Sequence, residues 1–152
     1  MRHGPAEDVA ASGRDFDRAL TNSGRERVRR VAEELQRRDE APKLILTSPL
    51  VRALQTAEIV ASVSPPLESL SVRREIAPGG DMADLLREQL ALGARRVMVV
   101  GHEPDVSSLV AGFIPGWTAG FEKAMVVGLR LRAGEPTELR FFYDPKLSVW
   151  KS

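Results

Sequence analysis

Two histidines and two arginines carry the chemistry most plainly written in this chain. They stand in Arg2-His3-Gly4, in Ser48-Pro49-Leu50-Val51-Arg52-Ala53 and in Gly101-His102-Glu103-Pro104. His3 and His102 are the only histidines among 152 residues, and each adjoins a glycine. A dianionic phosphoryl group calls for this set. Guanidinium forks clamp its oxygens with paired, charge-assisted hydrogen bonds. One neutral imidazole can attack phosphorus, and the other can donate to charge that develops during transfer. Arg52 is also misplaced by local electrostatics. It follows a helix start, where a cation opposes the helix dipole unless an anion lies beside it.

The elements that must position these residues are legible in outline. Ser23-Gly24-Arg25-Glu26 reads as a capping box. Behind it Val28, Val31, Ala32 and Leu35 fall at the spacing of one buried helix face. Leu44-Ile45-Leu46 is a short apolar run of the kind a buried parallel strand shows. Ser48 is expected to cap the next helix, with Pro49 at its first position and Leu50, Leu54, Ala57 and Ala61 buried. Asp81 starts a third helix through Leu85, Leu86 and Leu90, which Gly93 ends. Val97-Met98-Val99-Val100 is a second buried strand leading into Gly101-His102, and a short helix through Val106, Leu109 and Val110 follows. Residues 124–131 and 138–143 read as a hairpin turning at Gly134-Glu135-Pro136.

Strands alternating with helices predict an α/β fold: a three-layer sandwich with a largely parallel central sheet and helices on both faces. Arg52 and His102 each follow a predicted strand directly. They therefore fall at the carboxyl ends of the strands, where open α/β sheets bind ligands. Helix N-termini there add backbone donors for a phosphate.

Composition bounds the alternatives. A chain of 152 residues makes one domain with a real core. A formal net charge of +1 argues against a general nucleic-acid binder. The basic stretch at residues 25–38 is interleaved with Glu26, Glu33 and Glu34 and reads as a solvated helix face. With no cysteine there is no disulfide framework and no thiolate nucleophile. No stretch is apolar enough for a membrane span and no signal peptide pattern is read, so the expected setting is cytoplasmic. Neither G-x-G-x-x-G nor G-x-x-x-x-G-K-[ST] occurs, which disfavours a nucleotide-binding domain.

Taken in order, the motifs resemble those of the histidine phosphatase superfamily, whose fold is phosphoglycerate mutase-like. Arg2-His3-Gly4, the run from Ser48 to Ala57 and Gly101-His102-Glu103-Pro104 carry the resemblance. Leu20-Thr21-Asn22-Ser23-Gly24 and Glu75-Ile76-Ala77-Pro78-Gly79-Gly80-Asp81 add to it, the latter being similar to the short branch of SixA-type phosphohistidine phosphatases. In that family a buried strand precedes the first motif, whereas only Met1 precedes Arg2 here. A first strand is therefore expected to be missing from this sequence.

The resemblance implies phosphoryl transfer through a phosphohistidine on His3, with Arg2, Arg52 and His102 around the phosphoryl oxygens. Gly4 would let backbone approach the phosphate, and Thr21 would hydrogen-bond it, although Thr21 equally reads as a helix entry. Glu75 is the positional choice for a proton donor, set against a plain ion pair with Arg73 or Arg74. Glu103 is a second acid to weigh. A phosphoramidate needs an acid less, since its own nitrogen can be protonated. Short connections leave little room for a lid, which fits a phosphate presented on a protein, such as a histidine phosphotransfer domain. A small phosphate ester is the alternative within the fold, and a non-catalytic phosphoprotein-binding module is the alternative in another class. A mutase fits an open site poorly. The reading calls for no metal and no cofactor, and no membrane or nucleic-acid partner.

Overall fold

The computed structural model describes residues 1–64, 66–132 and 134–152. Helix α1 (Asn22–Arg37) is followed by strand β1 (Leu44–Thr47), α2 (Val51–Val63) and β2 (Ser69–Val72). Then come α3 (Met82–Ala91), β3 (Val97–Val100), α4 (Asp105–Phe113), β4 (Val126–Arg130), β5 (Glu138–Asp144) and β6 (Val149–Lys151). Short 3-10 turns occupy Asp15–Asp17 and Arg74–Ile76. Strands β2, β1 and β3 form a parallel sheet in that order, and β4, β5 and β6 an antiparallel one.

Alternation along the strands builds two cores, one on each face. Ile45, Met98 and Val100 join Val28, Val31, Leu35, Ala53, Ala57 and Val60 from α1 and α2. Leu46 and Val99 point the other way, onto Met82, Leu85, Val106 and Val110 from α3 and α4. The predicted three-layer α/β fold is the one observed.

Residues 1–3 link the two sheets. The Met1 nitrogen donates to Val99 O at 2.8 Å, Gly101 N–H to Met1 O at 3.1 Å and His3 N–H to Gly101 O at 3.0 Å. On the other side Arg2 N–H reaches Met125 O at 3.1 Å and Ala124 N–H reaches His3 O at 3.0 Å. The opening tripeptide is thus fixed by backbone bonds on both flanks.

Several local expectations need correcting. Helix α1 is capped by Thr21, whose hydroxyl accepts from Gly24 N–H at 3.0 Å, and not by Ser23. The reason is tertiary: Thr21 N–H donates to Pro5 O at 3.1 Å, which holds Thr21 extended just ahead of the helix. Ser48 does not cap α2, which begins at Val51 with Leu50 as its unassisted cap. The buried face of α2 is Arg52, Ala53, Thr56, Ala57 and Val60, offset from the expected Leu54 and Ala61, which are half-buried. That register turns Arg52 inward. Helix α3 agrees with expectation, since Asp81 accepts from Asp84 N–H at 3.0 Å and Gly93 takes a left-handed φ of 80° beyond its end. Strands β2 and β6 were not foreseen.

Candidate active site

Parallel pairing brings the motifs to one end of the sheet. Thr47 lies opposite Val100, so Ser48 and Gly101 leave β1 and β3 side by side. Ser48 N–H donates to Val100 O at 3.1 Å, and Arg2 bridges Gly101 in a parallel sense. His3, Arg52 and His102 are all buried, at 6%, 6% and 3% exposure. The two imidazole centroids are 5.1 Å apart and tilted by 54°.

His3 has its tautomer set by backbone. Its Nδ1 is 2.7 Å from Gly4 O, which can only accept, so the proton sits on Nδ1 and the Nε2 lone pair is free. Burial pushes its pKa down to about 3, against the pull of the Gly4 bond, and His102, Arg52 and Arg2 lower it further. Burial likewise lowers His102 to about 4, with Arg52 adding to the effect and Asp105 opposing it. Both rings are therefore neutral at pH 7.

The arginines are braced at one edge and open at another. Arg52 Nη1 donates to Asp15 O at 2.7 Å and Nη2 to Asp15 Oδ2 at 3.0 Å. Arg2 Nη1 donates to Phe121 O at 2.6 Å. Four buried side-chain polar atoms lack a hydrogen-bond partner among the described residues. Three of them are Arg2 Nε, Arg52 Nε and His102 Nδ1, and the fourth, Ser64 Oγ, lies at the far end of α2. Buried donors are costly to leave unpaired, by roughly 1–3 kcal/mol or more for a charged group. Arg2 Nε, Arg52 Nε and His102 Nδ1 are thereby left with unused hydrogen-bonding capacity beside His3.

The other predicted residues fall as follows. Gly4 spends its N–H on Thr56 Oγ1 at 3.0 Å, so that N–H is not open to a ligand. Its lack of a side chain serves packing, because a Cβ there would lie 2.5 Å from Val28 Cγ2. Thr21 is occupied as the helix cap. Of the two readings of Glu75, the structure shows the ion pair: Arg73 Nη2 donates to Oε1 at 2.7 Å. Arg73 also holds the Glu75 carboxyl below its ordinary range, which keeps it ionised rather than ready to donate a proton. Glu103 accepts from Ser107 Oγ at 2.6 Å and from Phe121 N–H at 2.6 Å. It thereby ties down the loop whose carbonyl braces Arg2.

Sequence reasoning missed Asp15, Thr56 and the use of Ser48. Asp15 carries no motif signal. Its carboxyl is held below the ordinary range by Arg18 first and Arg52 next. Thr56 was within reach, four residues after Arg52 on the same helical face, where its hydroxyl donates to Arg52 O at 2.7 Å.

Two neutral imidazoles and two arginines thus meet at the strand ends of an α/β domain. Comparison with known proteins narrows the class: a profile of the histidine phosphatase superfamily, branch 1, matches residues 1–98, and the chain belongs to that superfamily. Within it the similarity runs to the SixA type. The phosphohistidine phosphatase SixA of Escherichia coli is 37% identical over 121 residues, covering 78% of this chain and 74% of its own. An uncharacterised protein of Picosynechococcus sp. is 36% identical over 158 residues, covering 96% and 94%. A solved structure of the protein histidine phosphatase SixA complexed with tungstate superposes with a TM-score of 0.88 at 30% identity, covering 97% of this chain and 96% of that one. Among the described residues no helix is long and apolar enough to cross a membrane.

Proposed function

We propose that this chain is a phosphohistidine phosphatase acting on phosphorylated protein, with His3 as the nucleophile. The observation that carries the reading is the grouping of unpartnered Arg2 Nε, Arg52 Nε and His102 Nδ1 around an imidazole whose Nε2 lone pair is free. A relative that binds tungstate, a tetrahedral oxyanion, supports the same use of the site. His3 Nε2 attacks phosphorus, and the bond from phosphorus to the substrate's imidazole nitrogen breaks. That imidazole leaves neutral because its other ring nitrogen already carries a proton, and the P–N bonding pair stays on the departing nitrogen. Water then attacks the phosphohistidine, releasing phosphate and regenerating His3. Arg2, Arg52 and His102 hold the oxygens through both steps, and positioning with electrostatics supplies most of the rate.

The engagement of Glu75 with Arg73, and of Glu103 with Ser107 and Phe121, favours a substrate that needs no strong acid. A phosphoramidate meets that condition and a phosphate ester does not. A cytoplasmic setting, without metal or cofactor, goes with this reading.

The test is to incubate the protein with a 32P-phosphohistidine protein, quench at alkaline pH and look for label on the enzyme. Parent protein should take up an acid-labile, alkali-stable label, and His3→Ala none. Turnover of the phosphohistidine protein should exceed that of a sugar phosphate. A marked preference for the ester would overturn the substrate assignment, and an unlabelled parent that still binds phosphate would make the domain a binding module.

A further inference from the structure

Ser48 sits at the carboxyl end of β1, wholly buried, with its hydroxyl oxygen 2.8 Å from His102 Nε2. Geometry alone permits either atom to donate. The surroundings do not leave the choice open. Leu50 N–H already donates to Ser48 Oγ at 3.3 Å, so one lone pair is taken. Among the described residues the ring nitrogen is the one acceptor in reach of the hydroxyl proton. Were Nε2–H the donor, the Ser48 hydroxyl proton would be buried without a partner, at a cost of roughly 1–3 kcal/mol.

We infer that Ser48 is a positioning residue: its hydroxyl donates to His102 Nε2 and so fixes the proton of a neutral His102 on Nδ1, the atom that faces the phosphoryl group. The two histidines then share one tautomer and use it in opposite ways. His3 gives its Nδ1 proton to Gly4 O and presents the Nε2 lone pair as nucleophile. His102 gives its Nε2 lone pair to Ser48 and presents Nδ1–H as donor. His102 can thus stabilise an anion without being protonated. Burial, which disfavours imidazolium at this position, makes such an arrangement useful. The backbone adds rigidity: Ser48 N–H is held by Val100 O at 3.1 Å and Val106 N–H by His102 O at 2.9 Å.

The inference rests on His102 facing the phosphoryl group, yet its test does not depend on turnover. With two histidines in the chain, 15N-labelled imidazole spectra at pH 7.5 resolve both rings, and His3→Ala assigns them. Nδ1–H is expected at His102 in the parent. Ser48→Ala should shift His102 toward Nε2–H, leave the His3 tautomer unchanged and weaken inorganic phosphate binding, read by calorimetry, about 10- to 100-fold, as for other outer partners that set an imidazole tautomer. A parent whose His102 carries Nε2–H overturns the inference whether or not the alanine variant folds. So does a Ser48→Ala protein that keeps Nδ1–H or full phosphate affinity. Absence of a phosphoenzyme alongside an Nδ1–H His102 would remove the proposed reaction and leave the role of Ser48 standing.

Discussion

Each of the four site residues is defined by what it can no longer do with water. His3 and His102 are buried beside two guanidiniums, so the charged imidazolium is disfavoured in both. An ordinary histidine titrates near pH 6.5. Here the ring Cε1–H resonances, followed by NMR, should show neither histidine titrating between pH 7.5 and 5, and a midpoint near 6.5 would contradict the burial. Stability follows with a definite sign. The unfolded chain binds protons at both histidines below about pH 6.5, whereas the folded chain does so only near 3 and 4, so stability is full above 6.5 and falls as the pH drops from there. Urea midpoints should accordingly be lower at pH 5 than at pH 7.5. For Arg52, replacement by Ala removes the anchor of Asp15 and, on the proposed function, a clamp on the anion. The expected loss in kcat/KM is about 10²–10³-fold, by analogy with removal of one oxyanion donor. This chemistry was legible in the sequence because residue type alone restricts what His and Arg can do. The role of Glu75 was not, since a neighbour, Arg73, decides whether its carboxyl is free.

At the scale of the element, legibility followed periodicity and stopped where tertiary contacts choose between equal local signals. The faces of α1 and α3 were readable because Val28, Val31, Ala32 and Leu35, and Leu85 with Leu86, repeat at helical spacing. Strand β2 was not, because Ser69–Val72 is an edge strand paired only with β1 and offers just two alternating apolar residues, Leu70 and Val72, too few to show a period. The three residues of β6 are too few to show a period. Thr21 and Ser23 are equivalent caps by composition, and the Pro5 carbonyl selects Thr21 by fixing its backbone. Thr21→Ala should therefore cost about 1 kcal/mol in urea unfolding. Ser23→Ala should stay within about 0.5 kcal/mol, as for an ordinary surface change. Equal losses at the two positions would mean that the cap is shared. Gly24 belongs to the same joint. A Cβ there would lie 2.0 Å from Pro5 O, so α1 can approach the His3 segment this closely only with glycine at that position.

At the scale of the whole molecule, the two three-stranded sheets are joined by backbone hydrogen bonds through residues 1–3, while side chains of β4 and β5 share both cores with β1 and β3. Beyond Met1, between β3 and β4, lies a groove of about 910 Å³ lined by Val97, Val99, Val126, Leu129 and Phe141 among others. The sides of β3 and β4 that face it have no strand paired to them among the described residues. Arg2 already pairs with Gly101 in a parallel sense, and the Met1 nitrogen with Val99 O, so an extended segment entering at Met1 would continue that ladder along β3. Each apolar side chain such a strand buries would contribute roughly 1.5–3 kcal/mol. Ordering the segment costs roughly 1–2 kcal/mol per residue, so the gain depends on alternation that places large apolar residues inward. Fusing five alternating Val and Ile residues ahead of Met1 should therefore raise Tm, at roughly 2–4 °C for each kcal/mol gained in a chain of this size. A Gly-Ser extension of equal length should leave Tm unchanged. The same fusion should also slow amide exchange at Val97 and Val127, whose strand edges it would cover. If the apolar extension raised neither Tm nor protection, the groove would not be a strand site, and the backbone bonds of residues 1–3 to Val99, Gly101, Ala124 and Met125 would suffice to hold His3 in register.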